Sequence, residues 1–230
     1  MLPGAPVADW RGGRDDSKRD TGGMARVKIC GINSAAAIDA AVEAGADWIG
    51  FAFFPPSPRH VTPSLARELS ARHPGGPPRV GLFVNPSEVM IAEVLAEVQL
   101  DILQLYGVGE RLADLRARFG RPVWRAVGVA GAADLPASMD GADALLVEAK
   151  PPPDATRPGG NAVRFDWTLT RDWRAPGPWL LAGGLDPNNV ADAIRLSGAT
   201  AVDVSSGVER DRGVKDPGLI RAFVRNARRR

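Results

Sequence analysis

From residue 26 onward the chain alternates, eight times over, a short apolar run rich in β-branched and aromatic residues with a longer stretch of helical character. The runs at 26–30, 48–54, 79–84, 101–106, 123–129, 144–149, 179–183 and 201–206 predict strands. They are continuously apolar rather than alternating, as strands covered on both faces of a parallel sheet are. Between and after them, helices are predicted at 34–45, 63–73, 87–98, 109–119, 132–138, 167–173, 187–197 and 216–228. Thr62-Pro63, Asp186-Pro187 and Asp216-Pro217 each place a capping side chain before a proline suited to the first turn. Gly45, Gly120 and Gly198 fall where helix ends call for left-handed backbone. Eight strand–helix pairs in about 200 residues, with no linker between them, predict an α/β fold of the (β/α)8, or TIM-barrel, class in a single domain. The competing doubly wound sheet usually carries G-x-G-x-x-G after its first strand, and Lys28-Ile29-Cys30-Gly31-Ile32 offers nothing of that kind.

Composition narrows the functional classes. Lys+Arg 29 against Asp+Glu 27 leaves no basic excess to neutralise a phosphate backbone, so a pI near 9.0 is no argument for nucleic acid. Arg225, Arg228, Arg229 and Arg230 read instead as favourable charges at the end of the last helix. One cysteine precludes an intrachain disulfide and fits a reducing, cytoplasmic setting. Two His and one Cys are too few soft ligands for a zinc site, so no metal is expected. No apolar stretch approaches the ~18 residues that span a bilayer; the longest, Trp48 to Phe54, is far shorter. No exposed apolar stripe asks for a second subunit, and a monomer is expected. Residues 1–23 are polar and glycine-rich, lack the apolar core of a signal peptide, and predict a disordered extension. Met24, directly before the first strand, is the expected natural start, with 24–230 as the barrel domain.

Active sites of such barrels lie at the C-terminal ends of the strands. That rule selects Cys30 closing the first strand, Gln104 on the fourth, Arg125 on the fifth, Glu148 ending the sixth and Asp203 within the eighth. Arg59 stands in the loop after the second strand, behind the proline-stiffened Pro55-Pro56-Ser57-Pro58. Gly183-Gly184 and Ser205-Ser206-Gly207 follow the last two strands, where small residues let backbone N–H groups cradle a phosphate. A tight strand-to-helix turn explains Gly183-Gly184 equally well when taken alone. A lone Cys is often a small buried hydrophobe, but at a strand end beside an anion site it is a candidate base. Glu148 follows Ala144-Leu145-Leu146-Val147, so desolvation should raise its pKa toward that of a general acid; an ion pair with Lys150 or Arg125 is the alternative. Asp203 interrupts a β-branched run and needs a polar partner, in a salt bridge or in a substrate. Arg59 is either a carboxylate fork or a solvated surface group. Tyr106 and the tryptophans read as packing.

Several segments together carry a resemblance. Val27-Lys28-Ile29-Cys30-Gly31-Ile32, Gly50-Phe51-Ala52-Phe53 with Ser57-Pro58-Arg59, Gly81-Leu82-Phe83-Val84-Asn85 and Leu103-Gln104-Leu105-Tyr106-Gly107 are four of them. Phe165-Asp166-Trp167, Leu181-Ala182-Gly183-Gly184-Leu185 and Val202-Asp203-Val204-Ser205-Ser206-Gly207-Val208-Glu209 complete the set. In this order, from about residue 26 to the end, the chain resembles the phosphoribosylanthranilate isomerases of tryptophan biosynthesis. The resemblance implies a (β/α)8 barrel that converts N-(5-phosphoribosyl)anthranilate to 1-(2-carboxyphenylamino)-1-deoxyribulose 5-phosphate without metal or cofactor. It implies Cys30 as the general base at the sugar C2, Glu148 as the acid on the ring oxygen, and Arg59 on the anthranilate carboxylate. The Gly183-Gly184 and Ser205-Ser206-Gly207 loops would take the phosphate, and Gln104 and Asp203 would line the substrate pocket.

The family's usual aspartate at the end of the sixth strand is Glu148 here, and its usual histidine after Gln-Leu is Tyr106. An added methylene moves the carboxyl by roughly an ångström, a displacement that can cost ~10²-fold, so acid catalysis is expected to be retained but reduced. The loop Pro151 to Asn161, rich in proline and glycine, is expected to cover the substrate. A binding-only relative that does not turn over its sugar phosphate is the alternative from another class. A relative that also takes the histidine-pathway aminoaldose is expected to carry aspartate where Cys30 stands.

Overall fold

The computed structural model describes residues 23–150 and 166–229. The expectations for residues 1–22 and for the loop Pro151 to Asn161 lie outside the described residues. Eight parallel strands close on themselves in chain order: β1 (Arg26–Cys30), β2 (Trp48–Ala52), β3 (Arg79–Val84), β4 (Ile102–Tyr106), β5 (Val123–Val129), β6 (Ala144–Ala149), β7 (Trp179–Leu181) and β8 (Ala201–Val204). The seam pairs β1 with β8, setting Val27 against Val202 and Lys28 against Asp203.

Around the barrel lie α1 (Ala35–Glu43), α2 (Pro63–Ala71), α3 (Glu88–Glu97), α4 (Leu112–Phe119), α5 (Val190–Ser197) and α6 (Pro217–Ala227). Thr62 and Asp216 cap α2 and α6 as their Pro-containing starts predict, accepting from the N–H groups of Leu65 and Leu219. Asp186 does otherwise. Its carboxylate accepts from Asn188 N and Asn189 N at 2.7 and 3.1 Å, capping a turn that precedes α5 rather than the helix itself. Gly120 and Gly198 end α4 and α5 in left-handed backbone, and Gly45 follows α1 in the same conformation.

Two predicted helices are short 3-10 turns instead. In 132–138 only Ala132–Asp134 is helical, because Pro136 cannot continue the ladder and the Asp134 carboxylate draws in the N–H groups of Ala130 and Gly131. In 167–173 the turn is Trp167–Thr170, where Thr170 spends its hydroxyl on the carbonyls of Trp167 and Ser197. β4 begins one residue later than expected, and three strands end early for local reasons. β2 stops before Pro55-Pro56, β7 before the left-handed Gly183-Gly184, and β8 before a 3-10 turn at Ser206–Val208.

The interior is layered. Trp48, Val80, Ile102, Trp124, Ala144, Leu180 and Ala201 form an apolar cluster of their own, one residue from each of seven consecutive strands, with Trp48 and Trp124 edge-to-face at 5.2 Å. Side chains alternate faces along a strand, so residues two and four positions further share this inward side. Those positions hold Gln104 and Tyr106 on β4, Glu148 on β6 and Asp203 on β8. An apolar floor thus gives way to polar groups toward the C-terminal rim. The opposite faces, including Val27, Ile29, Leu103, Leu145 and Val202, join the helices in the main core.

Candidate active site

Cys30 is the last residue of β1 and is buried. Directly after it the backbone turns left-handed at Gly31, and a Cβ there would lie 2.7 Å from Arg59 Cδ, so the arginine stem rests on that turn. Burial pushes the Cys30 thiol up from its ordinary value, opposed mainly by the charge of Lys28.

Glu148 comes up on the interior side of β6, also buried. Burial drives its pKa up to about 8, while a hydrogen bond with Tyr106 works in the opposite direction. At neutral pH the group is a carboxylic acid with a proton to give. Neither ion pair considered for it forms. Arg125 pairs with Asp140, and Lys150 is exposed. Arg125, selected from its place on the fifth strand, therefore does not join the site.

Tyr106 also departs from the sequence reading. It is not simple packing: its hydroxyl accepts from Gln104 Nε2 at 3.3 Å and bonds the Glu148 carboxyl. Gln104 is wholly buried, and its Oε1 has no hydrogen-bond partner among the described residues. Such an acceptor costs free energy unless something satisfies it, as a bound ligand's donor would. Asp203 finds the polar partner its setting demands in Lys28, whose Nζ lies 2.8 Å away.

Arg59 is neither solvated nor free. Its Nε and Nη2 fork onto Glu209 at 2.6 and 2.9 Å, and Glu209 also accepts from Lys215 Nζ at 2.8 Å and Gly213 N at 3.0 Å. Glu209 opens β9 (Glu209–Asp211), and Lys215 lies on its antiparallel partner β10 (Val214–Lys215), in a hairpin after β8. Burial alone would raise the Glu209 pKa, but the Arg59 fork and Lys215 bring it down to about 2. Glu209→Ala leaves Arg59 and Lys215 buried without their shared counter-charge. The expected loss is about 3–5 kcal/mol, read as a lower urea midpoint at pH 7; an unchanged midpoint would refute the bridging role.

The two small-residue loops meet. A Cβ on Gly207 would sit 1.8 Å from the Leu185 carbonyl oxygen, so the loop after β8 presses on the loop after β7. Gly183 and Gly184 both hold positive φ, 84° and 66°, and Asn189 Nδ2 fastens the Gly184 carbonyl at 2.9 Å. Lys215 Nζ reaches the Ser205 carbonyl at 2.8 Å and its hydroxyl at 3.3 Å, which brings a buried cation to the edge of the same loop. Lys28, Glu209 and Lys215 were not picked out from the sequence. Their partners lie on distant segments; Lys28 and Glu209 stood inside motifs that carried the resemblance, but nothing local gave either a role.

Eight parallel strands closed in chain order, with polar side chains gathered toward their C-terminal ends and two touching small-residue loops beside them, place the chain in the (β/α)8-barrel class. Comparisons with known proteins narrow the class. A family model described as N-(5'phosphoribosyl)anthranilate (PRA) isomerase matches residues 27–226. The N-(5'-phosphoribosyl)anthranilate isomerase of Acidiphilium cryptum is 56% identical over 201 residues, 87% of this chain and 97% of that protein. Monomers generated from the dimeric phosphoribosylanthranilate isomerase of Thermotoga maritima superpose with a TM-score of 0.75 at 38% identity, covering 89% of this chain and 98% of that one. A phosphoribosyl anthranilate isomerase solved with reduced 1-(o-carboxyphenylamino)-1-deoxyribulose 5-phosphate gives a TM-score of 0.75 at 37% identity, with the same coverage. The chain belongs to the N-(5'-phosphoribosyl)anthranilate isomerase family.

Proposed function

We propose that the barrel rim performs the reaction of its family in tryptophan biosynthesis, with Cys30 as general base and Glu148 as general acid. The observation that carries this is the placement of a buried thiol and a buried carboxyl toward the C-terminal ends of β1 and β6, inside one barrel rim. Glu148 gives its proton to the ring oxygen as the C1–O bond of the ribose breaks and the anthranilate nitrogen's lone pair forms a C1=N iminium. The iminium acidifies C2, and the Cys30 thiolate takes that proton. The enolamine so formed tautomerises to the ketone of 1-(2-carboxyphenylamino)-1-deoxyribulose 5-phosphate.

Binding follows from the charges around these two groups. Arg59, aimed by Glu209, presents its remaining nitrogen Nη1 to the anthranilate carboxylate. Gly183, Gly184, Ser205, Ser206 and Gly207 offer backbone N–H and hydroxyl donors to the phosphate, with Lys215 behind them. Gln104 Oε1 accepts from a sugar hydroxyl, and Asp203 lines the same wall. The ligand is a phosphorylated aminosugar like the one bound to the solved relative.

N-(5-phosphoribosyl)anthranilate generated in the cuvette and followed by loss of its fluorescence tests this reading. Turnover is expected in the parent and should fall about 10²–10⁴-fold in Cys30→Ala, the usual contribution of a positioned base. Binding without turnover in the parent would instead make the chain a binding-only relative. Full activity in Cys30→Ala would remove Cys30 from its role.

A further inference from the structure

Lys28 is a wholly buried cation that the chemistry above does not use. It leaves β1 two residues before Cys30, so both side chains project into the barrel. Its Nζ donates to Asp203 Oδ1 at 2.8 Å across the β1–β8 seam, where the two residues are register partners. Gly50 on the neighbouring strand β2 shows how near Lys28 comes to the thiol. A Cβ at Gly50 would stand 3.0 Å from Cys30 Sγ and 3.3 Å from Lys28 Cε, so the two side chains converge on the space that glycine leaves. A buried ion pair is a poor device for stability, since an apolar pair of equal volume serves as well or better. A lysine held there by an aspartate, one inward-facing position below the thiol, answers a chemical need instead.

We propose that Lys28 is a positioning residue for Cys30: held by Asp203, its ammonium supplies the positive charge against which the thiolate forms. The inference rests on the reading of Cys30 as the base. Ionisation releases one proton from sulfur to water, and Lys28 keeps its own throughout. Every charged or titratable group that faces the thiol enters the balance. Lys215 on β10 adds a second positive charge, Asp203 on β8 opposes it, and Tyr106 on β4 is a neutral phenol. Glu148 on β6 is uncharged below about pH 8, and Arg59 lies over Gly31. Of the groups that favour the thiolate, Lys28 acts most strongly.

Cys30 is the chain's single cysteine, so the pH dependence of alkylation by iodoacetamide reads its ionisation alone, with no need for turnover. In Lys28→Met, which keeps the stem and removes the charge, the midpoint should rise by about one unit or more, the effect of losing a neighbouring opposite charge. Alkylation at pH 7.5 should slow about tenfold, and kcat/KM at the same pH should fall by the same factor. Asp203 left unpaired threatens folding, so Lys28→Met/Asp203→Asn, neutral at both positions, is measured in parallel. A raised midpoint in Lys28→Met supports the proposal and an unmoved one overturns it. If only the double variant folds, a midpoint no higher than that of Asp203→Asn alone overturns it, since loss of Asp203 by itself favours the thiolate. Retained turnover in Cys30→Ala would strike the base assignment alone and leave the alkylation result standing.

Discussion

Glu148→Gln should lower kcat by about 10²–10⁴-fold while raising the melting temperature at pH 8. Both effects come from one buried carboxyl. Gln fills the same volume and keeps a hydrogen bond to Tyr106, but it has no proton to give the ring oxygen. The stability gain follows from linkage. Burial carries the Glu148 pKa from an ordinary 4.5 to about 8, so the folded protein holds a proton that the unfolded chain releases. The stabilisation tied to that proton is fully present below about pH 4.5 and is lost as pH rises through about 8. Between those limits the loss is on the order of 5 kcal/mol. The Gln variant has nothing to lose, so its melting temperature should equal the parent's near pH 5 and exceed it increasingly toward pH 8. A difference that stays flat with pH would mean that Glu148 is not a buried acid. In the parent, kcat/KM should stop rising with pH near about 8, where the acid ionises before the burial-raised thiol does, and that bend should vanish in the variant.

Gly207→Ala should raise KM for the phosphorylated substrate about 10- to 100-fold, the worth of one or two charge-assisted hydrogen bonds. The added methyl would sit 1.8 Å from the Leu185 carbonyl oxygen, which no real contact allows. The loops after β7 and β8 must then part, and donors aimed at one phosphate no longer converge. Inhibition by inorganic phosphate should weaken in parallel, whereas kcat should change less because Cys30 and Glu148 stand on other strands. A KM within twofold of the parent would show that the phosphate sits elsewhere.

The strands, their order and the rim position of Cys30, Glu148 and the two loops were legible because each depends on local pattern. An apolar run, a glycine after it and the rule for barrel strand ends suffice. Where the reading failed, a side chain competed with the pattern. Pro136 and Asp134 cut a helix to a turn, and Asp186 spent its carboxylate one turn ahead of α5. The electrostatic frame was hidden for another reason. Nothing near Lys28 in sequence announces Asp203, 175 residues away, and Glu209 lies 150 residues from the arginine it aims. Tyr106 looked like filler because its partners, Gln104 beside it and Glu148 two strands over, meet only once the sheet has curved into a barrel.

The pairing of the first strand with the eighth also decides when the protein becomes an enzyme. With Lys28 joined to Asp203 and Arg59 to Glu209, a nascent chain emerging from the ribosome owns the thiol early and its electrostatic setting last. Contacts of such high sequence separation make folding slow, because the loop entropy is spent before they form. Until the final strand docks, Lys28 stays in water and Cys30 is an ordinary thiol beside a solvated ammonium. The setting of the thiol is therefore completed only with barrel closure, and a chain stalled before residue 203 carries Cys30 and Lys28 without the aspartate that holds the ammonium in place.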